Sequence, residues 1–65
     1  MAFPAPSPAR PIRVLIVDDS AFMRRAIERL LTAHPGVQVV GQATDGLDAV
    51  KKALELRPDV ITMDV

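Results

Sequence analysis

Three short apolar runs, Ile12 to Val17, Val37 to Ala43 and Val60 to Met63, alternate with two stretches patterned for helix. Runs this short, β-branched and almost wholly apolar, suit strands buried on both faces, as in a parallel sheet. After the first, Met23, Ala26, Ile27, Leu30 and Leu31 recur at helical spacing. They predict a helix to about Ala33, closed by Pro35-Gly36. Phe22 falls beside that stripe and is expected at the edge of the core, with Arg24, Arg25, Glu28 and Arg29 on the solvated side. After the second run, Leu47, Val50 and Leu54, flanked by Ala49 and Ala53, mark another helix, which Pro58 ends. Asp45 and Asp48 have the spacing of a capping box, and Asp48 and Lys52 that of an exposed ion pair. Gly41 points to a bulge or a close approach within the second strand.

The order β-α-β-α-β with short connections predicts parallel strands joined by right-handed crossovers. Their carboxyl ends then share one edge, where ligands bind in open α/β sheets. That edge is acidic: the first strand runs into Asp18-Asp19 and the third into Asp64. If those strands are neighbours, ~4.8 Å apart, the three carboxylates converge, and each raises the cost of ionising the others. A divalent cation relieves that cost. A site of carboxylates and water, without imidazole or thiolate, favours Mg2+. Carboxylates beside Mg2+ are also suited to accept a phosphoryl group. The plainer reading of Asp18-Asp19 is a solvated turn that caps a helix; the matching acid at position 64 weighs against it.

Eight basic and eight acidic residues cancel, and no basic stripe argues for nucleic acid. Cysteine is absent, which fits a reducing compartment. No apolar stretch approaches the ~18 residues of a membrane span, so a cytoplasmic location without membrane insertion is expected. Prolines at 4, 6, 8 and 11 make residues 1–11 an expected disordered leader, without the pattern of a secretory signal. Sixty-five residues allow at most one domain. Residues 12–65 are expected to be the N-terminal part of a larger sheet, poorly folded without the rest.

This pattern resembles the receiver domain of bacterial two-component response regulators, a flavodoxin-like, doubly wound parallel sheet. The resemblance runs from about Ile12 to Val65 and implies a sheet order that begins 2-1-3. It also implies Asp64 as the phospho-accepting nucleophile, Asp19 as a direct Mg2+ ligand, Asp18 as a ligand through water, and a sensor histidine kinase as phosphoryl donor. The stretches Val17 to Arg24, Val39 to Gly46 and Arg57 to Val65 look like those of the chemotaxis protein-glutamate methylesterases. In that branch an N-terminal receiver restrains a C-terminal methylesterase/glutamine deamidase domain until phosphorylated. The branch implies an effector domain not present here, and methyl-accepting chemotaxis receptors as partners. Stand-alone chemotaxis receivers and receivers of DNA-binding regulators share much of the wording.

A receiver also needs a backbone carbonyl two residues past the nucleophile, a later strand-end Ser/Thr and a later Lys, all expected beyond Val65. No hydrolase residues are recognisable: Ser7 and Ser20 lie outside any nucleophile elbow, and His34 is the single histidine. A small nucleotide-binding α/β unit is the rival of a different class. It requires a glycine-rich turn after the first strand, where this chain has Asp18-Asp19-Ser20, which would repel phosphate.

Overall fold

Apolar β-branched residues form the middle of the sheet, and less buried strands flank it. In a computed structural model, which describes residues 10–63, the elements are β1 (Ile12–Val17), α1 (Ala21–Thr32), β2 (Val37–Ala43), α2 (Gly46–Leu56) and β3 (Val60–Met63). The first nine residues of the expected leader, and Asp64 with Val65, lie outside the described residues. Arg10 makes an isolated β-bridge just before β1. The strands are parallel in the order β2-β1-β3, so β1 and β3 are neighbours, as the convergence of acids requires.

The first crossover moves from β1 to β2, and the second returns past β1 to β3. Right-handed connections therefore put α1 and α2 on opposite faces, the doubly wound arrangement. Buried β1 divides its side chains between them by alternation. Leu15 and Val17 pack with Ala43, Ala49, Ala53 and Leu56 on the α2 side, which leaves Val14 and Ile16 for the α1 side.

Helix α2 turns its small residues inward, contrary to the expected stripe. Ala49 is buried, whereas Leu47 is 86% and Leu54 74% exposed, with Val50 exposed too. The reason lies in Gly41. A Cβ there would stand 2.6 Å from Leu56 Cδ1 and 3.5 Å from Leu15 Cδ1, so the helix rides close enough on β2 to admit only alanines and Leu56. The register also shifts at this point: Val14 pairs with Val39 but Leu15 with Gly41, leaving Val40 as the extra residue of a bulge. Gly41→Val in the full-length gene product is expected to cost about 1–3 kcal/mol through overpacking, read as a lower thermal midpoint. Gly41→Ala should cost less, because the terminal methyl of Leu56 can rotate away. An unchanged midpoint in the Val variant would remove this account of the close approach.

On α1, Ala26, Ile27 and Leu31 are half-buried, while Met23 and Leu30 are exposed. Phe22, expected at the core's edge, is 79% exposed. It precedes Ile27 by five residues, which at ~100° per residue swings it far from the sheet.

Both helices start as their sequences suggest. Ser20 Oγ accepts from the Met23 N–H at 3.2 Å, and Asp45 Oδ1 accepts from the Asp48 N–H at 2.8 Å. The reciprocal bond of the α2 box lands one residue early, on the Thr44 N–H, at 3.2 Å. That bond, with Lys52 at 3.3 Å, holds the Asp48 carboxyl below its ordinary range despite partial desolvation. Lys52 also donates to the Gln42 carbonyl on edge strand β2. Helix α2 closes on Arg57, left-handed at φ 50°, whose N–H reaches the Ala53 carbonyl at 2.9 Å. Arg13 then ties the loop to β1: its Nη1 donates to the Arg57 carbonyl and its main-chain N–H to Asp59 Oδ2, each at 2.9 Å. Among the described residues no helix is long and apolar enough to cross a membrane.

Candidate functional site

The carboxyl ends of the three strands open into a cleft of about 290 Å³, lined by Val17, Asp18, Asp19, Thr44, Asp45, Gly46 and Met63. Register brings the strand ends level, with Val17 paired to Ala43 on one side and to Met63 on the other. Asp18 continues the ladder by one bond, its N–H donating to the Ala43 carbonyl at 3.1 Å. The strand thus carries a carboxylate to a position only 3% exposed.

One Asp18 oxygen is satisfied and the other is not. Oδ1 accepts from the Ser20 N–H at 2.9 Å, while buried Oδ2 has no hydrogen-bond partner among the described residues, as is also true of Thr62 Oγ1 within β3. A buried polar atom left this way costs free energy, and beside a second carboxylate a cation would relieve that cost. Asp19, next in the chain, is exposed on the cleft wall. Asp45 shares the wall, but its Oδ1 is engaged in capping α2, as its sequence context suggests. Two of the three expected acids, Asp18 and Asp19, therefore come together. The third, Asp64, follows Met63 in the chain and lies outside the described residues. Among the described residues no three histidine, cysteine, aspartate or glutamate side chains gather as a metal cluster. The donor chemistry still fits a hard cation, since every polar side chain on the wall offers oxygen.

Sequence reasoning missed Arg24, which it placed on the solvated side. The side chain is half-buried and runs back over the β1–α1 loop, where Nη1 donates to the Asp18 carbonyl at 2.7 Å. The signal was available in its place on the helix, because long side chains lean toward the N-terminus over the preceding turn. Ser20 is occupied as the α1 cap, and His34 is exposed in the turn after α1. Neither borders the cleft.

A family model for the response regulator receiver domain matches residues 14–65. The chain belongs to this family. The receiver is 61% identical over 56 residues to the protein-glutamate methylesterase/protein-glutamine glutaminase of Thermotoga maritima, an alignment that covers 86% of this chain and 16% of that protein. The protein of the same description from Symbiobacterium thermophilum is 57% identical over 56 residues, with the same coverage. Among solved structures, the response regulator domain of Thermotoga maritima CheB superposes with a TM-score of 0.84 at 61% identity, over 86% of this chain and 42% of that one. The receiver therefore has the flavodoxin-like fold in part, and it spans about one sixth of the length of these curated relatives.

Proposed function

We propose that this receiver accepts a phosphoryl group on Asp64 from a phosphohistidine of a sensor kinase, with Asp18, Asp19 and Asp64 as the carboxylates of a Mg2+ site. The observation that carries the reading is buried Asp18, which lines the cleft at the carboxyl edge of β1 and whose Oδ2 has no partner among the described residues. Mg2+ bound there would neutralise the phosphoryl oxygens during transfer. The chain's own part is nucleophilic and positional. A carboxylate oxygen of Asp64 forms the new bond to phosphorus as the phosphorus–nitrogen bond to the donor imidazole breaks, and the departing imidazole takes up a proton. Asp18 is fixed by its bonds to Ala43 and Ser20, and Asp19 stands at the open wall.

Its similarity to methylesterases extends the proposal to output. In the full-length gene product, phosphorylation of this receiver would control a protein-glutamate methylesterase/glutaminase domain acting on chemotaxis receptors in the cytoplasm. A nucleotide-binding unit finds no support in the β1–α1 turn, where two acids occupy the place of a phosphate cradle.

The test is phosphorylation of the full-length gene product by a cognate kinase or a small phosphoramidate in the presence of Mg2+. Asp64→Asn is expected to reduce labelling to background, and chelation of Mg2+ to do the same for the wild type. Labelling of Asp64→Asn at the wild-type rate would overturn the assignment.

A further inference from the structure

Arg24 holds the β1–α1 loop through its side chain: its guanidinium Nη1 donates to the Asp18 carbonyl at 2.7 Å. Its main-chain N–H makes the first bond of α1, to the Ser20 carbonyl at 3.0 Å, as the residue at that position does in any helix. We infer that Arg24 is a positioning residue for the divalent-cation site, aiming the Asp19 carboxylate by holding the peptide that joins Asp18 to Asp19. The inference rests on the cation site proposed above and adds to it a residue that touches neither metal nor phosphoryl group.

A peptide unit is planar, so the direction of one carbonyl sets the last backbone dihedral of Asp18 and the first of Asp19 together. Asp18 is already pinned from the strand side by Ala43, and its carboxylate is pinned by the Ser20 N–H. Ser20 is pinned to α1 through its Oγ and the Met23 N–H. The Asp18–Asp19 peptide is the link between these anchors, and Arg24 takes its carbonyl. Asp19 is exposed at the cleft wall, where an unfixed peptide would let its carboxylate swing into solvent.

Charge and position predict opposite signs. A guanidinium close to a dication repels it, so charge alone makes Mg2+ bind more tightly once Arg24 is replaced. Positioning makes Mg2+ bind more weakly. A role confined to stability moves the thermal midpoint of the metal-free protein and leaves Mg2+ affinity alone.

The experiment is calorimetric titration of Mg2+ into the full-length gene product, comparing wild type, Arg24→Met, Arg24→Lys and Asp19→Asn at one ionic strength. Methionine keeps the unbranched packing stem and removes the donor; Arg24→Gln replaces it if that variant does not fold. Arg24→Met is expected to weaken Mg2+ binding roughly 10-fold, as loss of an outer-shell partner does, and Arg24→Lys to recover most of it. Unchanged or tighter binding in Arg24→Met, with weakened binding in Asp19→Asn, would overturn the positioning role and leave the cation site standing. Unchanged binding in Asp19→Asn as well would overturn the cation site itself.

Discussion

Heated alone in dilute buffer, the 65-residue chain is expected to lose its far-ultraviolet signal gradually, with no sigmoidal transition. Leu15 and Ile16 are the large side chains fully withdrawn from water among the described residues. Against them stand Phe22, Leu30, Leu47, Val50, Leu54, Ile61 and Met63, all exposed. A chain of this size is marginal even when its apolar residues are well covered. Strand β3 adds a second liability, because it is an edge whose Val60, Ile61 and Met63 are exposed and invite pairing with another chain. The same prediction has a positive arm. In the full-length gene product a cooperative transition should appear, since the Thermotoga maritima domain that superposes on this chain is longer, this chain covering 42% of it. A sharp, reversible, concentration-independent melt of the 65-mer would show that β1 and its two helices suffice.

Asp18→Asn in the full-length gene product is expected to stabilise the metal-free protein while removing its response to Mg2+. The wild-type carboxylate is 3% exposed, and one oxygen has no partner among the described residues. Leaving a buried polar group unsatisfied costs about 1–3 kcal/mol, and more for a charged one. Asparagine keeps the acceptor for the Ser20 N–H and discards the charge. Its neutral amide replaces the unpartnered oxygen, and a buried neutral polar group costs less than a buried unpaired charge. Added Mg2+ should then stabilise the wild type, by about 2.7 kcal/mol at a concentration 100 times Kd, raising its midpoint and leaving that of the variant unmoved. Thermal melts with and without Mg2+ read both arms. A variant less stable than wild type without metal would mean that the charge of Asp18 is compensated within the protein, and that Oδ2 is not held open for a cation.

Much of this arrangement could be read along the chain because it depends on neighbours in sequence. The limits of β2 and β3, the cap at Asp45 and the stop at Pro58 follow from apolar runs and turn chemistry spanning a few residues. So does the acidic strand end, since parallel strands joined by short crossovers have to deliver Asp18 and Asp19 to one edge.

Packing decided the rest. Alanines 49 and 53 had the same helical period as Leu47, Val50 and Leu54, and periodicity could not say which set faced the sheet. That choice depended on how closely α2 approaches β2, and Gly41 set the distance from across the interface. Phe22 likewise sat beside an apolar stripe, yet it is 79% exposed, because α1 turns Ile27 and Leu31 to the sheet. Arg24 looked like any solvated arginine until the loop it spans was folded beneath it. Strand neighbours in space and the close approach of α2 at Gly41 join residues whose distance is fixed by tertiary packing, which no local pattern encodes.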